Sequence, residues 1–300
     1  MSDLDPLNDG IPSPSWVPVG FTVAVSVRHP FRKIPVPWIL NFVLALVLIP
    51  VAVALFFYAF TKGALLLRGL SRGARSRTAH VYPIYSEMWL IRLVDFQPVI
   101  SAILLFQYDR LVSCIATGLR SMALNGQDVL ITSCAFGNVI PRVVAASLES
   151  GASKVKIVDI VENELVHAKR KLPQFGSQVD YVQGDATAMN LPTASVGANV
   201  MFFLLHELEP EMKSKAIAEA ARVLAPGGKF FLAEFHKPVP LGLRAISWLY
   251  FKTFEPFGLA LWDVQDPVDQ LSTINGMHCE RQTAFFGNFQ VIVATKNAAD

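Results

Sequence analysis

Two short runs bring carboxylates and imidazoles to the ends of apolar stretches. One is Phe202-Phe203-Leu204-Leu205-His206-Glu207; the other is Glu234-Phe235-His236. If both apolar stretches are strands of one sheet, two acids and two histidines share a rim. Nitrogen and oxygen ligands of this kind could bind a divalent metal, with His206, Glu207 and His236 as the ligands. The same group, His206, Glu207, Glu234 and His236, could supply a general base. In the plainer alternative His206 and Glu207 begin the next connection and Glu234 holds a backbone amide.

A second set of residues has the spacing of a nucleotide-type cofactor site. Asp128 to Gly137 reads Asp-Val-Leu-Ile-Thr-Ser-Cys-Ala-Phe-Gly. Its frame is similar to the first strand and turn of an S-adenosylmethionine (SAM) domain, where the turn reads acid-x-Gly-x-Gly-x-Gly. Here Ile131 replaces the acid, Ser133 and Ala135 replace two glycines, and Gly137 remains. Small residues still let the backbone approach a ligand, so Ser133, Cys134, Ala135, Phe136 and Gly137 are candidate cofactor contacts. Without the acid, the amino-acid end of the cofactor must be held in another way. Asp159 ends the next apolar run and could accept hydrogen bonds from both ribose hydroxyls; it could instead cap the helix that starts near Glu162. Asp185, in Gln-Gly-Asp-Ala-Thr, fits the position that meets an adenine amino group. Ile160 and Ala186, beside these aspartates, complete the candidate cofactor site.

These residues need an alternating α/β frame to bring them together. From position 128 onward strands and helices alternate, which predicts a parallel sheet wrapped by helices. The strands expected are Val129–Thr132, Lys154–Asp159, Val179–Gln183, Ala198–Leu204 and Lys229–Phe235, with a last pair including Gln282–Phe286 and Phe289–Thr295. Helices are expected over Arg142–Ser150 behind Pro141, over Glu162–Lys171 and over Glu211–Leu224, the last followed by a Pro226-Gly227-Gly228 turn. Ligands in such sheets lie outside the carboxyl ends of the strands. The expected class is therefore α/β: a Rossmann-like class I SAM-methyltransferase fold, with a mostly parallel seven-stranded sheet over 125–300.

Ahead of it come an irregular tail (1–37), an apolar run (38–60) and a basic linker with a helical cap (61–124). Trp38 to Phe60 contains no charged residue. A membrane-spanning helix needs about 20 such residues for a ~30 Å hydrocarbon layer. Pro50 would kink it, and Trp38 and Tyr58 suit the interfaces. Arg28, Arg32 and Lys33 precede the run, whereas Lys62, Arg68, Arg72, Arg75 and Arg77 follow it. That bias places the large domain on the cytoplasmic or mitochondrial-matrix side of a single-pass membrane protein. A buried core helix or a hairpin in one leaflet is the alternative. Residues 241–262 are also strongly apolar and read either as a segment that dips into a bilayer or as a lid packed on its own core.

Composition agrees with membrane contact. Of 300 residues, 52% are hydrophobic and 17% charged. A net charge of +2 and the lack of a zinc-finger or RNA-binding signature exclude a nucleic-acid partner. Cys114, Cys134 and Cys279 have no metal spacing and leave one unpaired in any disulfide scheme, which fits a reducing compartment. Asp3, Asp5 and Asp9 oppose a signal peptide.

Five segments together resemble one family. They are Ser-Cys-Ala-Phe-Gly-Asn-Val-Ile-Pro-Arg (133–142), Phe-Phe-Leu-Leu-His-Glu (202–207), Glu-Ala-Ala-Arg-Val-Leu-Ala-Pro-Gly-Gly-Lys (219–229), Glu-Phe-His-Lys-Pro (234–238) and Phe-Glu-Pro-Phe-Gly-Leu-Ala-Leu-Trp (254–262). This combination resembles the RquA family of rhodoquinone-biosynthesis proteins, a divergent branch of the quinone methyltransferases. The family usually has Tyr where Phe136 stands. The resemblance implies conversion of ubiquinone to rhodoquinone, a ring methoxy group being exchanged for an amino group. It further implies SAM as amino donor, Mn2+ as a possible assistant and a ubiquinone-like lipid as substrate. A conventional SAM-dependent methyltransferase acting on a quinone or lipid is the second reading. A non-catalytic SAM-fold scaffold of a quinone-biosynthesis complex is the third.

Overall fold

A computed structural model describes residues 88–253 and 255–298. The expected tail, the 38–60 span, the basic stretch 62–77 and Phe254 lie outside the described residues. Three helices come first: α1 (Met88–Val94), α2 (Gln97–Ile103) and α3 (Tyr108–Arg120). The chain reverses between α2 and α3 through Leu105 and Phe106, both at positive φ. Alternation follows as expected: β1 (Asp128–Thr132), α4 (Val139–Glu149), β2 (Val155–Asp159), α5 (Glu162–Lys171), β3 (Val179–Gln183), β4 (Val196–Phe202), α6 (Pro210–Val223) and β5 (Leu224–Phe235). Helices α7 (Leu241–Thr253) and α8 (Pro267–Ser272) lead to the hairpin β6 (Met277–Ala284) and β7 (Phe289–Lys296).

The seven strands form one sheet in the order β3-β2-β1-β4-β5-β7-β6. β1 to β5 are parallel, and β7 runs antiparallel between β5 and β6. Helices cover both faces, so the central strands must be apolar on both sides. β4 is buried at all seven positions. Alternate residues go to opposite layers: Val129, Ile131, Phe231 and Ala233 join the layer of α3 and α4, whereas Leu130, Phe230 and Leu232 join that of α6. Helix α3 buries Tyr108, Leu111, Val112, Ile115, Ala116 and Leu119, one stripe at helical spacing. It lies so close to the sheet that a Cβ on Gly118 would sit 2.5 Å from Phe231 Cε1.

Some boundaries differ from expectation. α4 starts at Val139, three residues before Arg142, which puts Pro141 inside its first turn. Pro141 is tolerated because first-turn amides have no helical partner. Pro226-Gly227-Gly228 makes its turn within the span of β5, with Gly227 at φ +76°. Among the described residues no single helix is long and apolar enough to cross a membrane.

Candidate functional site

The loop after β1 replaces glycine geometry with small side chains. Ser133 occupies the left-handed region at φ +74°, where a non-glycine residue costs about 1 kcal/mol or more. What holds it there is Asp159 at the end of β2. Cys134 N–H donates to Asp159 Oδ2 at 2.6 Å, and the Ser133 hydroxyl donates to the same oxygen at 3.3 Å. Val161 N–H donates to the other oxygen at 2.8 Å. Asp159 is therefore a loop-binding carboxylate that also closes a turn onto Val161, and it does not cap α5, which has no side-chain cap at its start. Burial pushes its pKa up against the pull of these donors. The Cys134 thiol donates to it as well, which fills its roughly four acceptor positions; a ribose hydroxyl would bind by displacing one donor, the Ser133 hydroxyl at 3.3 Å being the longest of the measured contacts. At the end of β3, Asp185 Oδ1 accepts from Thr187 N–H and Oγ, each at 2.8 Å. That turn engages Oδ1. Ile160 is exposed beside Asp159, and Ala186 is half-buried. Cys134 is buried, its thiol pKa pushed well up by burial and by Asp159; all three cysteines are free thiols. The small-residue loop, the two aspartates and the apolar rim fit an adenosyl cofactor. Ile131, at the acid's place, is packed in the main core.

The far end of the loop is fastened from the amino-terminal helices, which sequence reading did not foresee. Gly137 N–H donates to Asp95 Oδ1 (2.8 Å), Asn138 N–H to Gln97 Oε1 (3.2 Å) and Val139 N–H to the Tyr108 hydroxyl (2.7 Å). The Tyr108 hydroxyl in turn donates to Phe136 O at 2.9 Å. Side chains from outside thus satisfy three amides at the start of α4 that no helical carbonyl can reach. Lys171 Nζ binds Asp95 Oδ1 and Gly137 O, both at 2.6 Å, and His167 Nε2 lies 3.0 Å from Asp95 Oδ2. Burial works against the Asp95 carboxylate, but His167, Lys171 and the Gly137 amide outweigh it and its pKa falls.

Glu164, in the first turn of α5, is only 3% exposed, and its Oε1 has no hydrogen-bond partner. Burial, with Asp159 nearby, pushes its pKa to about 9. It therefore carries a proton at neutral pH. The signal was present in the sequence: Glu164 shares a stripe with Leu165 and Ala168, the buried face of its helix.

The His206 group is arranged otherwise than a metal centre requires. Glu234 is fully buried; its oxygens accept from His206 N–H (3.2 Å) and Phe235 N–H (2.8 Å). His206 Nδ1 lies 3.1 Å from Glu234 Oε1, and Nε2 lies 3.8 Å from Glu207 Oε1. Burial opposes the imidazolium, but Glu234 and then Glu207 more than offset it, and the His206 pKa rises to about 9. A buried, protonated imidazole between two acids is a poor general base near pH 7. Lys213, also buried, donates to Leu208 O, and burial pulls its pKa down to about 8 against Glu234, Glu209 and Glu255. Phe203, Phe235, Phe251 and Trp262 wall this cluster edge to face. His236 is not part of it. Its Nδ1 lies 2.7 Å from Gly287 O, and its Nε2 is 3.4 Å from Arg281. The expected ligand set His206, Glu207 and His236 is thus not assembled. Among the described residues no group of three or more His, Cys, Asp or Glu side chains is placed to hold a metal ion. These residues do not fit Mn2+.

Comparison with known proteins agrees with this frame. Residues 129–228 match the family described as "Methyltransferase domain". An O-methyltransferase family protein from Burkholderia thailandensis shares the fold with a TM-score of 0.56 at 12% identity, over 81% of this chain and 71% of that one. The fold is that of a class I SAM-dependent methyltransferase. Among curated proteins, the chain is similar to the ubiquinone/menaquinone biosynthesis C-methyltransferase UbiE of Shewanella piezotolerans, 32% identical over 43% of this chain and 52% of the relative. The UbiE of Salmonella arizonae is 30% identical over 53% of this chain and 62% of the relative. The chain therefore matches a little over half the length of these relatives.

Proposed function

We propose that this protein is a SAM-dependent transferase acting on a quinone ring, and that the group it installs is an amino group, converting ubiquinone to rhodoquinone. The cofactor supplies the transferred group. Asp159 and Asp185 hold its adenosine half at the ends of β2 and β3, and Ser133 to Gly137 wrap the remainder. The observation that carries the choice of amination is Ile131. It is buried in the core, so the carboxyl end of β1 offers no acid to clamp the cofactor's amine. Asp95, the carboxylate that reaches the loop's far end, is already engaged by Lys171, His167 and Gly137 N–H. Phe203 and Phe235 form an aromatic wall at the carboxyl ends of β4 and β5, suited to a flat ring and to excluding water. His206 and Glu234 act as positioning residues, fixing the β4 end against β5. No step is assigned to a metal.

Quinone C-methylation is the second reading, favoured by the naming of the UbiE relatives. In either reading the 38–60 run anchors the enzyme in the membrane that holds the lipid substrate, with the large domain on the cytoplasmic or matrix side. Expression in a host that makes ubiquinone but no rhodoquinone, followed by mass spectrometry of extracted lipids, tests the proposal. Rhodoquinone supports amination, and a quinone heavier by one methyl group supports the second reading. An unchanged lipid profile, together with no binding of S-adenosylhomocysteine, leaves the scaffold reading.

A further inference from the structure

The outward face of α7 is built against the usual rule for a surface helix. Such a helix turns an apolar stripe inward and polar residues outward. α7 reads Leu-Gly-Leu-Arg-Ala-Ile-Ser-Trp-Leu-Tyr-Phe-Lys-Thr and contains no acid. Its inward side is Ser247 and Phe251, with Leu243 and Arg244 half-buried. On a helical wheel, Leu241, Gly242, Ala245, Ile246 and Leu249 fall on the opposite, solvent-facing arc. Leu241 is 78% exposed, Ile246 69% and Leu249 61%. Among the described residues nothing lies within 4 Å of the place a Gly242 Cβ would take. Trp248 and Tyr250 stand at the two borders of this arc. The one charge on it is Lys252, in the last turn, whose stem lets the ammonium reach away from an apolar contact.

A second element points the same way. The β6–β7 hairpin turns through Phe285 and Phe286, both at positive φ. Phe286 is 69% exposed. Its carbonyl accepts from Val239 N–H at 2.9 Å, which joins the hairpin tip to the approach to α7. Val239 is exposed as well. A strained turn with a bare phenyl ring continues the apolar face of the helix.

We infer that α7 and the Phe286 hairpin tip lie in a bilayer interface, with Leu241, Ile246, Leu249 and Phe286 among the acyl chains and Lys252 and Arg244 at the headgroups. The order of residue types across the face favours lipid as the occupant. An apolar centre, amphipathic Trp and Tyr at its borders and only basic charges are what an interface with anionic lipid selects. Arg244 makes its hydrogen bonds to Pro238 O and Val239 O, and among the described residues no carboxylate pairs with it. This placement is independent of the transfer chemistry proposed above.

The test reads α7 itself, since the 38–60 run would hold the protein on vesicles in any event. Full-length protein is reconstituted into phosphatidylcholine vesicles with about 30% phosphatidylglycerol, made with either ordinary or brominated acyl chains, without cofactor or quinone. Subtracting the emission of Trp248→Phe from that of the wild type isolates Trp248. Expected are a blue shift and quenching of about twofold or more by the brominated chains. The pair Ile246→Asn with Leu249→Asn should lose that quenching while the far-ultraviolet circular dichroism stays unchanged. If the difference signal proves small, Leu249→Trp in the Trp248→Phe background provides a second probe with the same expectation. Emission that is blue-shifted but unquenched means protein covers the face, as a second copy or another part of the chain would, and overturns the inference. Emission as in water overturns it too.

Discussion

Replacing Glu164 with Gln tests whether an uncompensated carboxyl group lies beneath the cofactor loop. Glu164 has a pKa near 4.5 when the chain is unfolded and about 9 when folded, the rise coming from burial and then from Asp159. As pH rises above 4.5 the unfolded chain releases this proton and the folded chain keeps it. Stability is thus lost with rising pH, from the unfolded value up to the folded one. Each pH unit in that window is worth about 1.4 kcal/mol. The charged form of His206 also disfavours alkaline pH, but only above its unfolded value of 6.5. Asp159, whose pKa burial also raises, slopes the same way, so Glu164 is read from the difference between wild type and variant, which should open by about 2 kcal/mol from pH 5 to 6.5. Glu164→Gln keeps the shape of the protonated acid and removes the titration. Urea denaturation across this range should give a falling curve for the wild type and a flatter one for the variant, with the variant the more stable at pH 7. Parallel curves would refute the reasoning and mean that Glu164 reaches water or a partner in solution.

Gly137→Ala should cost about 2–4 kcal/mol in thermal denaturation, because the residue has φ +78° and a Cβ would sit 2.5 Å from the Tyr108 hydroxyl. Asp185→Asn keeps the turn to Thr187 but loses the charge, and should weaken S-adenosylhomocysteine about tenfold by calorimetry with the melting temperature unchanged; unaltered affinity would remove Asp185 from the adenine site. Glu234→Gln should lower stability at pH 6 by about 3 kcal/mol. His206 titrates near 9 in the wild type, so the stabilisation it draws from Glu234 is present below pH 6.5 and fades as pH rises through 9; the variant's denaturation curve should lack that alkaline slope.

The frame was legible because local pattern and burial agree. Val155–Asp159 and Val196–Phe202 are short, largely buried runs that a covered sheet can use, whereas the edge strand Val179–Gln183 is only partly buried. Asp159 and Asp185 follow from their positions at strand ends. The fastening of the loop was not legible, because Asp95 and Gly137 lie 42 residues apart and nothing local marks the pair. Glu164 reads as an ordinary acid in a helix's first turn until its stripe with Leu165 and Ala168 is seen to face inward. His236 was misplaced for a related reason. A position at a strand end fixes the backbone, but the Gly287 carbonyl on the neighbouring hairpin draws the ring away from His206.

The three bonds that Asp95, Gln97 and Tyr108 make to the start of α4 also bear on where the working unit begins. A fragment trimmed to residues 129–228, the span that matches the methyltransferase domain model, would strip these acceptors from Gly137, Asn138 and Val139. Those amides would be bared next to the loop that must grip the cofactor, and a sulfonium ligand would meet a frayed helix end. Helices α1 to α3 therefore clamp the loop through Asp95, Gln97 and Tyr108. Deletion series that approach them from the amino terminus should show ligand binding fail before the sheet melts.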